Sequence, residues 1–243
     1  MDTLRRLLTA ALLAGPLHAS AQDSHVDQRQ RLVDQIVLEM QATSRDTGRD
    51  KLRDSVLRAM RTVPRHRFVP PELAAESYRD RPLPIGLGQT ISQPFIVALM
   101  TELLDPRGDM RVLEVGTGSG YQAAVLSELV REVYTVEIVP ELARQAEAVL
   151  RSLNRTNVHL RAGDGYAGWP EEAPFDRVIV TAAPEEIPRP LIDQLATGGL
   201  LVAPVGTQSA PQWMTIVEKT RNGVVERRTI PVQFVPFTRG RAR

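Results

Sequence analysis

The sequence predicts an open α/β fold: a mostly parallel central sheet with helices on both faces and an antiparallel strand pair at its C-terminal end. Three observations carry this expectation. From Met110 onward, short apolar runs alternate with helix-compatible stretches, the pattern of repeated strand–helix units. A glycine-rich turn, Gly116-Thr117-Gly118-Ser119-Gly120, joins a buried-strand candidate to a helix candidate. Near the end, Asn222-Gly223 separates two strand-like segments and is a strong hairpin signal.

The elements follow in order. Arg5 and Arg6 precede an apolar run from Leu7 to Leu17, and Ala19-Ser20-Ala21 supplies small residues for cleavage after Ala21. A basic end, a short apolar segment and a small-residue exit predict a signal peptide over residues 1–21. The run falls short of the roughly 20 apolar residues that a membrane span needs. A periplasmic or secreted protein is therefore expected, with no stable membrane insertion after cleavage. Residues 22–79 should form an N-terminal helical segment packed on the core. Within it Gln22–Gln30 reads as polar and frayed. Leu32, Val33, Ile36, Val37 and Met40 recur at helical spacing, as do Leu52, Val56, Leu57, Met60 and Val63, before Pro64 stops the second helix. Arg53, Arg58 and Arg61 read as a solvated face. Residues 80–243 form the expected core domain. Its strands are placed at 111–115, 133–138, 158–160, 175–181 and 199–205, with a closing pair at 213–219 and 224–231. Its helices are placed at 95–104, 121–129, 190–195 and from Pro140.

Composition narrows the function. Of 243 residues, 42% are hydrophobic and 24% charged, as in a water-soluble globular chain. Thirty basic against 29 acidic residues give +1, which argues against a nucleic-acid partner. Cysteine is absent, which excludes disulfides, thiolate nucleophiles and thiolate metal sites, and four scattered histidines suggest no metal centre. Oligomeric state is open, and a monomer is compatible with the sequence.

The glycine loop carries the chemistry. A buried strand ending in glycines lets a ligand approach the backbone, where the next helix offers unpaired N–H groups. Glu137 closes the following strand, where an acid can accept hydrogen bonds from both ribose hydroxyls. The dinucleotide fingerprint G-x-G-x-x-G would need glycine at 121, which is Tyr121; here the spacing is G-x-G-x-G. A triphosphate-binding G-x-x-x-x-G-K-[ST] pattern is also missing. Glu114, just before the loop, would repel phosphate and attract an ammonium group. S-adenosylmethionine combines an ammonium, a ribose diol and an adenine, and Asp164, in Gly163-Asp164-Gly165, is placed to accept from the adenine amino group.

The run from Asp80 to Pro94 has no simple strand or helix period, and its prolines and glycines should hold a long connection in a defined path. Ser92 is a candidate N-cap for the 95–104 helix. A serine-hydrolase reading fails because Ser92 sits in no G-x-S-x-G elbow.

At Pro84-Ile85-Gly86-Leu87-Gly88-Gln89-Thr90-Ile91-Ser92-Gln93-Pro94 the sequence closely resembles the protein-L-isoaspartate O-methyltransferase family. The resemblance extends through Val112–Tyr121, Gly163-Asp164-Gly165, Thr181-Ala182-Ala183-Pro184 and Val235-Pro236-Phe237. It implies a Rossmann-like class I S-adenosylmethionine-dependent methyltransferase, with S-adenosyl-L-methionine as methyl donor. The implied substrates are L-isoaspartyl residues in damaged proteins and peptides. It implies Ser92 as the active-site serine. Cofactor contacts are implied at Ile91, Gln93, Glu114, Gly116, Thr117, Gly118, Ser119, Gly120, Glu137, Asp164 and Gly165, and substrate contacts at Thr90, Thr181 and Thr238. The family is mainly cytosolic, so a cytoplasmic location is the alternative to export. A small-molecule methyltransferase, or a cofactor-binding interaction protein without transfer activity, would share the glycine loop. Transfer to matched isoaspartyl and aspartyl peptides separates them.

Overall fold

The computed structural model describes residues 19–240. The signal-like segment lies outside the described residues except for Ala19–Ala21, which begin a helix. That helix, α1 (Ala19–Ala42), runs unbroken through the 22–30 stretch expected to be frayed. Side-chain amides support it locally: Gln30 donates to Asp34 and Gln35 to Glu39, each one turn on. Its apolar stripe of Leu32, Val33, Ile36 and Met40 is buried. A one-turn helix, α2 (Ser44–Thr47), ends at Gly48 in the left-handed conformation. In α3 (Asp54–Thr62), Val56, Ala59 and Met60 face inward.

Arg53 departs from the expected solvated face. Its backbone N–H and its Nε both donate to Glu102, at 2.9 and 3.1 Å, and another guanidinium nitrogen reaches Asp105 at 2.6 Å. These bonds clamp the start of α3 to the C-terminal end of α4 (Pro94–Leu104). Arg58 and Arg61 are exposed, as expected.

The polar run before α4 contains a short antiparallel hairpin, β1 (Leu83–Gly86) with β2 (Gln89–Ile91). Alternation there is only two or three residues long, too short to read as a strand period. Leu83, Ile85 and Ile91 point inward and anchor it.

The main sheet contains β3 (Arg111–Val115), β4 (Glu132–Glu137), β5 (Val158–Ala162), β6 (Phe175–Val180), β7 (Leu195–Val205), β8 (Gln212–Thr220) and β9 (Gly223–Val232). Their spatial order is β5-β4-β3-β6-β7-β8-β9. The first five are parallel; β7–β8 and β8–β9 are antiparallel, so the reversal begins one strand before the expected hairpin. Helices α5 (Tyr121–Ser127), α6 (Pro140–Ser152) and α7 (Arg189–Asp193) follow β3, β4 and β6. Two apolar clusters cover the two faces. One gathers α1, α3, α4 and α5 against Val112, Ile179 and Val202; the other packs Leu191 of α7 against Leu113, Val136 and Val178. Among the described residues, no helix is long and apolar enough to cross a membrane.

From β3 the chain builds the sheet outward through β4 and β5, then returns to lay β6 on the other side of β3. Strand order reverses there, and a crevice opens beyond the carboxyl ends of β3 and β6.

Candidate active site

A cleft open to solvent occupies that crevice. Its walls come from the hairpin and the following residues (Thr90, Ile91, Ser92), the glycine loop (Gly116 to Ser119), the end of β4 (Glu137 to Val139), Gly165, Thr181 after β6, and the C-terminal segment from Val235 to Thr238. Four residues expected at the site, Gln93, Glu114, Gly120 and Asp164, do not line it.

The loop shape follows from close contacts. Gly116 has φ +101°, and a Cβ there would stand 2.4 Å from Thr181 Oγ1. Its N–H donates to Val136 O at 2.9 Å, and the Thr181 hydroxyl donates to its carbonyl. Gly118 has φ +53° and donates its N–H to Glu137 Oε2 at 2.7 Å. The other oxygen of Glu137 accepts from Val139 N at 2.9 Å. Glu137 is thus fixed by two backbone donors, with acceptor capacity left to face the cleft. Gly120 serves packing instead: a Cβ would lie 3.3 Å from both Ala146 and Leu150, so its absence lets α5 settle on α6.

Glu114 lies beneath the loop. Strand side chains alternate between faces, and this one points with Val112 into the layer under α4 and α5. Glu114 is fully buried, and its Oε2 accepts from Thr135 Oγ1 at 2.5 Å. Thr135 in turn bonds Thr117 at 2.6 Å, which links the carboxyl to the cleft wall. Burial pushes the Glu114 carboxyl up to about 8; the Thr135 bond opposes this and the neighbouring Glu137 charge adds to it. Glu114 Oε1 has no partner among the described residues, and neither has Oε1 of Gln122, a cleft residue on α5. Two orphaned acceptors beside a glycine loop suit a cationic donor such as an ammonium.

Ser92 is not the helix cap. Gln93 occupies the N-cap position with Pro94 at the first helical turn, and the Phe95 N–H is accepted by Asp80 Oδ1 at 2.7 Å. Gln93 turns its amide onto Asp80 Oδ2 at 2.7 Å, away from the cofactor contact the resemblance implied. The Ser92 hydroxyl makes no hydrogen bond among the described residues. It stands where the cleft meets a second groove walled by Pro82, Ile96, Gln208 and Gln233.

Asp164 is likewise committed elsewhere. Oδ1 accepts from Tyr166 N at 2.9 Å, and Oδ2 faces Gly240 N at 3.2 Å with Arg239 close by. The Arg239 guanidinium lies 3.7 Å above the Tyr166 ring. Gly165 does line the cleft, and a Cβ there would fall 2.4 Å from Val115 Cγ1.

The family model described as Protein-L-isoaspartate(D-aspartate) O-methyltransferase matches residues 39–242. The chain belongs to this family. A protein-L-isoaspartate O-methyltransferase of Gloeobacter violaceus is 62% identical over 185 residues, 76% of this chain and 90% of the relative. Its counterpart in Opitutus terrae is 50% identical over 96% of both chains. Among solved structures, a protein-L-isoaspartate O-methyltransferase superposes with TM-score 0.72 at 28% identity, covering 84% of this chain and 65% of the other. A Plasmodium falciparum structure with S-adenosyl-L-homocysteine bound gives TM-score 0.72 at 24% identity, covering 89% and 99%, which supports the fold.

Within this family frame, sequence reasoning missed Gln122, Ile138, Val139 and Val235 to Phe237 as cleft walls. Gln122 could have been found by its spacing, since the first turn of a helix after a glycine loop faces the same ligand. The C-terminal segment was marked only by the resemblance at Val235-Pro236-Phe237 and by Thr238, and no strand or helix period placed it at the cleft. It reaches the cleft by pairing across Ala183, which donates to Val235 O at 2.9 Å and accepts from Phe237 N at 3.0 Å.

Proposed function

We propose that this chain is a protein-L-isoaspartate O-methyltransferase, transferring a methyl group from S-adenosylmethionine to the free α-carboxylate of L-isoaspartyl residues in damaged proteins and peptides. The observation that carries the reading is the Ser92 hydroxyl, without a hydrogen-bond partner among the described residues, at the junction of two openings, one bordered by the glycine loop and Glu137 and the other leading away to an uncharged groove.

The residues fit the methyl donor. Glu137 would take the ribose hydroxyls, and the Gly116–Ser119 backbone would face the chain between ribose and amino acid. Gln122, on the cleft wall, would receive the ammonium, and Glu114 would act on it from beneath the loop, through Thr135 and Thr117. Ile91 and Ile138 offer apolar surface, and Gly165, packed directly on Val115, presents bare backbone to a flat ring. Asp164 would act on the adenine end from outside the wall, and Gln93 and Gly120 would act only through the structure they hold. When bound, the donor supplies an electrophilic methyl carbon on a positive sulfur.

The substrate carboxylate needs no strong base, because an ordinary carboxyl with pKa near ~4 is already ionised at neutral pH. Ser92 donates a hydrogen bond to one carboxylate oxygen and aims the other. Thr90, Thr181 and Thr238 border the entrance and would hold the peptide around it. Catalysis is then mainly alignment and exclusion of water. The methyl ester product favours attack by the adjoining backbone nitrogen, giving a succinimide whose hydrolysis restores some normal linkages. Isomerisation moves the free carboxylate relative to the backbone, so a cleft that fixes position distinguishes isoaspartyl from aspartyl. Matched L-isoaspartyl, L-aspartyl and D-aspartyl peptides test this: transfer to the first and none to the second is expected, and equal transfer to those two would overturn it.

Two boundaries complete the proposal. Residues 22–79 are taken as a helical segment ahead of a methyltransferase core at 80–243. Export with cleavage after Ala21 is proposed from residues 1–21 alone. N-terminal mass spectrometry of fractionated native cells should find Gln22 first, and Met1 on cytosolic protein would reject it.

A further inference from the structure

We propose that Asp80 is the positioning residue for Ser92, its carboxylate fastening the base of the hairpin that presents the serine; this rests on the role of Ser92 proposed above. The start of α4 lacks any ordinary cap. Pro94 has no N–H to offer, and Gln93 caps nothing with its own side chain. The N–H of Phe95 would be left without an intrahelical partner, as the first N–H groups of any helix are. Asp80 meets that need from outside. Oδ1 accepts from Phe95 N at 2.7 Å and Oδ2 accepts from Gln93 Nε2 at 2.7 Å, so one carboxylate grips both sides of Pro94. Both bonds are charge-assisted and therefore strong. Buried Arg65 lies near enough for the Asp80 charge to offset part of its own burial.

The two gripped ends enclose the functional part of the hairpin. Asp80 and Gln93 are thirteen positions apart, and between them lie Gln89, Thr90, Ile91 and Ser92, all on the cleft wall. Ser92 immediately precedes Gln93, so any swing of Gln93 is transmitted to it through a single peptide unit. Ile85, on the other strand of the hairpin, is buried in the core, and its side chain is the one neighbour that a Cβ on Gly118 would meet, at 3.6 Å. The core thus holds one strand of the hairpin against the glycine loop, and the Asp80 carboxylate holds the end that carries the serine.

Gln93→Ala removes the side-chain link and leaves the bond to Phe95 N. Single-turnover transfer to an L-isoaspartyl peptide, at saturating S-adenosylmethionine and peptide, is expected to fall about tenfold, in keeping with the steep cost of misplacing reacting groups. S-adenosylhomocysteine affinity should stay within about twofold. The deciding measurement is the cycle with Ser92→Ala: if Gln93 acts through the serine, adding Gln93→Ala to Ser92→Ala costs nothing further. Gln93→Glu sets a second carboxylate against Asp80 and should slow transfer, and adding Asp80→Asn, which restores a donor facing an acceptor, should recover most of that loss. Should Asp80→Asn fail to fold, the Gln93→Ala cycle decides by itself. A Gln93→Ala rate equal to wild type, or an equal loss with and without Ser92, overturns the positioning role while a slow Ser92→Ala leaves the reaction reading intact. No transfer by wild type overturns both.

Discussion

Gly118 donates its backbone N–H to Glu137 Oε2 at 2.7 Å, joining the loop after β3 to the end of β4. The same carboxylate holds Val139 N, so loop, acid and the start of α6 form one rigid unit before any ligand arrives. Preorganisation of this kind lowers the cost of binding because no groups need ordering afterwards.

Glu137→Ala should therefore weaken S-adenosylhomocysteine binding by about 1–3 kcal/mol, the range for losing hydrogen bonds to a charged group. Titration calorimetry on a variant whose melting confirms folding measures it. Affinity equal to wild type would remove Glu137 from the ligand contacts.

Glu114 gives a pH signature. The buried carboxyl keeps its proton up to about pH 8, whereas the unfolded chain loses it near 4.5. Between those values the folded state binds the extra proton, so this group's contribution to stability is full below pH 4.5 and lost as pH rises through 8. Denaturant melts of wild type against Glu114→Gln should show the wild type losing stability relative to the variant across that window. An ammonium placed against Glu114 would instead favour its ionised form. Ligand binding at pH 7 should then release protons, seen as a buffer-dependent heat that Glu114→Gln abolishes. Identical buffer dependence in the two proteins would separate Glu114 from the ammonium.

Gly120→Ala tests whether the third loop glycine serves ligand or fold. Its φ of +86° and the 3.3 Å approach to Ala146 and Leu150 predict strain of about 1–3 kcal/mol in stability. Affinity per folded molecule should hold. A variant with wild-type melting but lost S-adenosylhomocysteine binding would reverse the assignment.

What the sequence made legible was periodic or spaced. The parallel strands show as apolar runs, and the ligand end of the sheet shows in Gly116–Gly120 and Glu137, because strand ends and turns have local chemistry. Features fixed by distant partners were hidden. Arg53 looked solvated because Glu102 and Asp105 lie some fifty positions on. The bonds of Gln93 to Asp80 and of Asp164 to the returning C-terminal segment were hidden too, because nothing local announces those partners. Glu114 was correctly placed beside the loop in sequence, but strand alternation puts its carboxyl underneath it. Gln22–Gln30 looked frayed because polar side chains can support a helix by bonding each other one turn apart.

Ser92 allows the sharpest separation of structure from chemistry. If its hydroxyl capped α4, Ser92→Ala would lower stability by about 1 kcal/mol and leave transfer per folded molecule unchanged. The structure gives that duty to Asp80, which accepts the Phe95 N–H, and the serine hydroxyl has no partner among the described residues. Ser92→Ala should accordingly melt like wild type and bind S-adenosylhomocysteine normally. Its transfer should be slower by roughly 5- to 150-fold, the rate equivalent of about 1–3 kcal/mol for one lost hydrogen bond to a carboxylate. Asp80→Ala should show the complementary stability loss of about 1 kcal/mol expected for a missing cap. Thermal melts, calorimetry and single-turnover rates on the same preparations check all three quantities. A destabilised Ser92→Ala with an unchanged rate would return the serine to a structural role, and the orienting contact would then have to come from Thr90 on the same wall, since the Thr181 hydroxyl is spent on the Gly116 carbonyl.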